Sequence, residues 1–239
     1  MMADYGITPD ATAPITSTAA AERVTAFLRK VYGWMFVGLG ITAFVAYAVI
    51  GSPTLVQTIA SNHILFLALV LAELGLVFYL SARATGLAPG TAAGLFVVYS
   101  ALNGVTLSLI LLMYTGASIA TTFMVTAGMF GAMAVFGSTT KRSLAGFGQF
   151  LFMGLIGVVL ASIVGIFWRS DALQFLISVV GVIVFTGLTA WDAQRLKQMA
   201  LTVPPSELGS YAIVGALSLY LNFLNLFLML LRFQGGNRD

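Results

Sequence analysis

Cysteine is absent from these 239 residues, histidine occurs once, and only 19 side chains are charged. Without cysteine there are no disulfides, no thiolate metal sites and no cysteine nucleophiles, and the redox compartment stays undetermined. One imidazole removes most zinc chemistry, which draws several ligands from His, Cys and carboxylates. The shortage of charge decides more. Charged residues are 8% of the chain, against about 25% in soluble domains. Hydrophobic residues are 59%, and the mean hydropathy is +1.00. The deficit runs along nearly the whole chain rather than through one core, so these charges cannot cover a soluble surface. The solvent is lipid.

What the chain does have is long apolar runs. The first 20 residues hold Ala, Thr, Ser, Pro and two Asp without periodicity, so residues 1–22 are expected to be a flexible cytoplasmic tail and 23–239 a membrane domain. Glu22 to Lys30 reads as a short amphipathic lead-in. Seven runs follow, at 31–50, 64–81, 91–113, 117–137, 150–168, 173–190 and 211–231. Each comes close to the roughly 20 residues that cross a hydrocarbon core about 30 Å thick. Ordinary breaks separate them: Gly51-Ser52-Pro53, Arg83 to Gly90, Tyr114-Thr115-Gly116, Ser138 to Gly148, Arg169-Ser170-Asp171, and Gln194 to Ser210. Thirty residues precede the first run and no small-residue cleavage pattern closely follows it, so it reads as an anchor rather than a signal peptide.

In lipid only helices and closed barrels satisfy their own backbone, and uninterrupted apolar runs of this length are helices. The expected fold is an all-α membrane protein, a bundle of seven transmembrane helices. Small-residue pairs at Gly90 and Gly94, Ala127 and Gly131, Gly157 and Ala161, and Ala161 and Gly165 suit close helix packing and carry no chemistry. Placing the N-terminus inside puts Arg23, Arg29, Lys30, Arg83, Lys141, Arg142, Arg195 and Lys197 in the cytoplasm, leaving Arg169, Arg232 and Arg238 outside. That asymmetry predicts N-in, C-out. The net charge of +3 calls for no nucleic acid, because the basic residues flank spans where anionic headgroups lie.

Polar groups at membrane depth are costly, about 2.5–3.5 kcal/mol for a charge at a helix centre on insertion scales, so they line a path or find a partner. Asp192 ends the sixth run. Asn222 and Asn225 stand in the middle of the seventh, three apart, with Ser218 a turn before. They are expected to share one inward face. The sixth and seventh spans are antiparallel neighbours. Asn222 nevertheless comes eleven residues after Tyr211, so contact with Asp192 requires the sixth helix to tilt or the seventh to start outside the bilayer. Glu73, near the centre of the second run, is either a proton or cation site or a neutral carboxyl bonded to a neighbouring helix. Asn103, Thr106 and Ser108 are expected to bond between helices. His63, at an outer interface, is either a satisfied interfacial residue or a pH sensor.

Several motifs carry a family resemblance. Val31-Tyr32-Gly33-Trp34-Met35, Glu73-Leu74-Gly75-Leu76-Val77, Thr126 to Gly131, Thr139-Thr140-Lys141-Arg142, Gly187 to Gln194 and Leu219 to Phe227 resemble the Bax-inhibitor family of membrane proteins in order and spacing, from about Ala21 onward. The resemblance implies six helices around a central seventh. For bacterial members it implies a pH-sensitive calcium leak across the cytoplasmic (inner) membrane. Eukaryotic relatives are associated with suppression of cell death and calcium release from internal stores. Some bacterial relatives are linked to a membrane-anchored ATP-dependent protease.

The resemblance also implies a pH-sensing pair of aspartates on the sixth and seventh helices. Asp192 matches the first, and Asn222 stands in place of the second; Trp191 and Ala193 replace the usual tyrosine and threonine. Two carboxylates in contact share a proton, whereas an amide cannot titrate. The pH response is therefore expected to be shifted or lost. The family's basic partner has no assured counterpart here; Arg83, which follows the second span, is the candidate. No resident cofactor or bound metal is expected, calcium being at most a permeant ion. A true calcium site takes 6–8 oxygen ligands, more than these spans offer, so a passing ion would stay partly hydrated. Intramembrane proteolysis lacks a second membrane aspartate or a buried base, which leaves a channel or a regulatory membrane protein.

Overall fold

The computed structural model describes residues 17–83, 86–168 and 170–234. They form eight helices: α1 (Ser17–Ile50), α2 (Pro53–Ser61), α3 (His63–Ala82), α4 (Pro89–Leu111), α5 (Gly116–Thr139), α6 (Ala145–Phe167), α7 (Asp171–Thr202) and α8 (Leu208–Gln234). All but α2 are long and apolar enough to span a membrane. The seven spans are those expected from the sequence.

Helix α2 is additional. The sequence shows a break there because nine residues cannot cross a bilayer. Pro53 opens the helix, where its missing N–H costs nothing. Asn62 then closes the kink by capping α3, its side chain accepting from the Leu65 amide at 3.0 Å.

Two helices overrun their apolar runs. α1 starts at Ser17, so the last six residues assigned to the 1–22 tail are helical; residues 1–16 lie outside the described residues. The amphipathic lead-in continues into the span without a break. α7 likewise passes through Asp192 and continues to Thr202, shrinking the expected Gln194 to Ser210 connection to residues 203–207. The ten residues beyond Asp192 contain no Gly or Pro and are rich in Ala, Gln, Leu, Lys and Met, all good helix formers. The helix stops at Val203, whose extended backbone (φ −77, ψ 138) suits the residue before Pro204.

α8 is the centre of the bundle. Of its apolar window 72% is buried, against 44% or less in every other span. It packs against α1, α3, α4, α5 and α7, while α6 leans on α7. Aromatic edges fill the space around it. Phe96 and Tyr220 lie 5.5 Å apart edge-on, and Phe223 receives Phe123 and Phe130 at the same distance. The Tyr220 hydroxyl is shared with Thr42 Oγ1 at 2.6 Å, and Thr42 also donates to the Ser100 carbonyl. A large buried polar tip is thereby satisfied. Lipid-facing side chains ring the outside, among them Phe44, Tyr47, Phe78, Phe150, Met153 and Phe167.

The closest helix approaches do not fall at the small-residue pairs read from the sequence. A Cβ on Gly90, Gly94, Gly131 or Gly157 would meet nothing within 4 Å. On Gly137 it would collide with the Ala190 carbonyl, and on Gly104 it would lie 2.7 Å from the Thr42 carbonyl. These two glycines let α5 ride on α7, and α4 on α1, at backbone distance.

Candidate functional site

Asn222 Nδ2 donates to Asp192 Oδ2 at 2.8 Å, and both side chains are buried. The depth mismatch expected from hydropathy disappears because α7 does not end at Asp192. About 15 Å of helix follow Asp192 before the turn and about 21 Å of α8 precede Asn222, so the two meet at similar depth without a strong tilt. A carboxylate in lipid-buried surroundings needs a donor, and the amide supplies one. Arg195, one turn along α7, is the cation whose charge bears on Asp192. Its guanidinium lies over the Trp191 ring, 5.4 Å from the centroid. Arg83 is exposed at the C-terminal cap of α3.

The polar stripe of α8 splits instead of sharing one inward face. Asn222 turns toward α7. Ser218 and Asn225 lie on a half-buried seam with Tyr211, Val214, Leu221 and Leu228, spaced alternately three and four residues apart. Asn225 Nδ2 donates back to the Leu221 carbonyl at 2.8 Å. Three residues of helix are about 60° short of a full turn, enough to carry Asn225 off the face that Asn222 occupies.

Asn225 and Leu228 line two cavities. One, of about 380 Å³, lies among α3, α4 and α8 and includes Glu73, Tyr99, Asn103 and Thr106. Thr106 Oγ1 donates to Glu73 Oε1 at 2.8 Å, an interhelical bond of the kind that one of the two readings of that carboxyl calls for. Asn103 Nδ2 instead bonds within its own helix, to the Tyr99 carbonyl at 3.3 Å, and Ser108 does likewise to Val105. The second cavity, of about 730 Å³, lies among α6, α7 and α8 and includes Ser162, Ser170, Asp171, Gln174 and Arg232. His63 is exposed at the start of α3. Among the described residues, no three His, Asp or Glu side chains cluster as a metal site.

Sequence reasoning missed a clamp beside the pair. Gln194 accepts from the Leu144 amide and donates to the Arg142 carbonyl, both at 2.8 Å, and Lys197 donates to the Ser138 carbonyl at 2.9 Å. These bonds tie the α5 to α6 connection onto α7. Arg23 ties α1 to the same end of the bundle by donating to the Val203 carbonyl. The expected loop between the sixth and seventh runs concealed the clamp, because Gln194 and Lys197 read as loop residues when the helix is taken to stop at Asp192.

Seven apolar helices packed around a buried polar pair define a multi-pass integral membrane protein. The chain belongs to the Bax-inhibitor family: the family model described as "Inhibitor of apoptosis-promoting Bax1" matches residues 24–239. It is 52% identical to "Inner membrane protein YbhL" of Escherichia coli K12 over 215 residues, covering 89% of this chain and 92% of that protein. It is 42% identical to uncharacterized proteins of Deinococcus radiodurans and Caulobacter vibrioides, each match covering 94% of this chain and 96% of the relative.

Proposed function

We propose that this protein is a calcium leak channel of a bacterial inner membrane, oriented N-in and C-out, with pH sensing altered because Asn222 occupies the place of a second aspartate. The observation that carries this reading is the order of polar groups along α8. Asn225 and Leu228 line both the larger cavity, with Asp171 and Arg232, and the Glu73 cavity, and Asn222 with Asp192 stands one turn further toward the basic end. Neither cavity includes the pair, and in this reading its buried hydrogen bond is the plug between the polar path and that end. A calcium ion takes 6–8 oxygens. Glu73, Thr106, Asn103 and Asn225 offer fewer, so water completes the shell and the ion passes instead of lodging. The inner-membrane assignment leans on the name of the Escherichia coli relative, and the orientation on the positive-inside asymmetry.

A carboxylate and an amide hold one titrating group, whereas two carboxylates share a proton over a range set by their repulsion. The test is calcium flux into dye-loaded liposomes across pH. Wild type is expected to conduct with a shallow pH profile, and Asn222→Asp to gain a steep one. A steep rise between about pH 6 and 8 that Asn222→Asp leaves unchanged would sink the altered-sensing reading, and a histidine would then be suspected. Absence of flux at every pH would sink the channel itself.

A second reading draws on the same plug. Asp192 and Asn222 are buried and bonded to each other, and a non-conducting regulator of a membrane-anchored ATP-dependent protease needs no open path past them. Co-purification with the protease, without flux in liposomes, favours that reading. Neither reading makes the protein an enzyme.

A further inference from the structure

The clamp around Gln194 builds a second feature at the basic end. Lys141 and Arg142 are exposed on the α5 to α6 connection, and the Arg142 carbonyl is bonded to the side chain of Gln194, the residue before the exposed Arg195. Arg195 rests on Trp191, and the Trp191 indole packs against α6 at Gly148, where it leaves no room for a Cβ. On the same stretch of α6, Phe147 and Phe150 are 49% and 69% exposed and form an apolar wall. Three cations and an indole thus lie at the same end of the bundle as the exposed apolar wall of α6.

We propose that this corner is a binding site for an anionic phospholipid, with Arg142, Lys141 and Arg195 on the headgroup phosphate and the acyl chains along Phe147 and Phe150. Arginine matches phosphate geometry with paired N–H groups, and a ring beneath it leaves those groups pointing outward. The loop carrying Lys141 and Arg142 is held in place by Gln194 and Lys197, so little ordering is required when a headgroup arrives. A soluble phosphate would use the same cations but not the aromatic wall. The site itself does not depend on the channel reading.

The test uses the full-length protein with Trp34→Phe and Trp168→Phe, leaving Trp191 as the only indole. Its fluorescence is measured in bilayers where brominated phosphatidylglycerol replaces brominated phosphatidylcholine. Association with the anionic lipid is expected to be stronger by about fivefold for each cation, equivalent to about 1 kcal/mol each. Arg195→Gln and Arg142→Gln should each remove about one such factor, Arg195→Lys should restore most of it, and Lys30→Gln on α1 should change nothing. Equal quenching by the two lipids overturns the proposal. So does an equal loss with Lys30→Gln, which would mark a diffuse surface charge. Complete displacement by soluble glycerol phosphate overturns the lipid assignment in favour of a free phosphate site. Native far-UV circular dichroism of each variant, together with the Arg195→Lys rescue, separates lost binding from lost fold.

Discussion

Asn222 donates one hydrogen bond to Asp192 across the α7 and α8 interface at 2.8 Å, in a position buried on both sides. Leaving a buried acceptor without its donor costs about 1–3 kcal/mol, and more when the acceptor is charged. Asn222→Leu is therefore expected to destabilise the bundle by at least about 2 kcal/mol. Asp192→Leu combined with Asn222→Leu should cost less than the sum of the two single changes, because neither polar group is then stranded. Thermal unfolding in detergent across this double-mutant cycle checks it; additive losses would mean that the bond contributes nothing specific.

Gly137 and Gly131 stand on the same helix and make opposite predictions. A methyl on Gly137 runs into the Ala190 carbonyl, a backbone atom that cannot swing aside, two residues from Asp192. Gly137→Ala should cost about 1–3 kcal/mol through forced separation of α5 and α7. Gly131→Ala meets nothing within 4 Å, and should be neutral or stabilising by a few tenths to about 1 kcal/mol from reduced backbone freedom. Unfolding temperatures of the two variants decide it, and equal effects would contradict the packing described.

The seven spans could be read from the sequence because lipid penalises every polar interruption, so the bilayer writes its thickness into the apolar runs. Hydropathy reports solvent rather than backbone, which is why the run ended at Asp192 while α7 went on for ten residues to Thr202. That overrun is what brings Asp192 level with Asn222. The pairing of these two residues came from the family motifs, not from spacing. The split of the α8 stripe was hidden because three-residue spacing is close enough to one helical turn to suggest a shared face. α2 was hidden by its length. The small-residue pairs misdirected because such pairs recur throughout membrane helices, whereas a close approach depends on which face meets a neighbour.

Gln194 bridges the Leu144 amide and the Arg142 carbonyl. Gln194→Ala should release both, each neutral bond contributing about 0.5–1.5 kcal/mol. Local opening of the α5 to α6 connection should become easier while the rest of the bundle is little changed. Hydrogen exchange at the Leu144 amide is the direct measurement, with an expected acceleration of roughly tenfold or more for about 1.4 kcal/mol lost. Unchanged protection at Leu144 would show that the connection is held by Lys197 and Ser138 alone.

Glu73 and Thr106 separate charge from structure within the proposed path. Thr106 donates to Glu73 Oε1, and a glutamine at position 73 presents the same carbonyl acceptor in nearly the same volume, so Glu73→Gln keeps the α3 to α4 bond and removes only the capacity for negative charge. Thr106→Val does the reverse, removing the donor and leaving the carboxyl. If Glu73 attracts the passing cation, calcium flux in liposomes should fall by roughly tenfold or more in Glu73→Gln, since even about 1.4 kcal/mol of lost attraction amounts to that factor. Thr106→Val should conduct, with a modest loss of thermal stability of about 1 kcal/mol. The opposite ranking, with flux intact in Glu73→Gln and abolished in Thr106→Val, would make the Glu73 carboxyl a helix-packing group and move the search for the cation's route to the cavity holding Asp171.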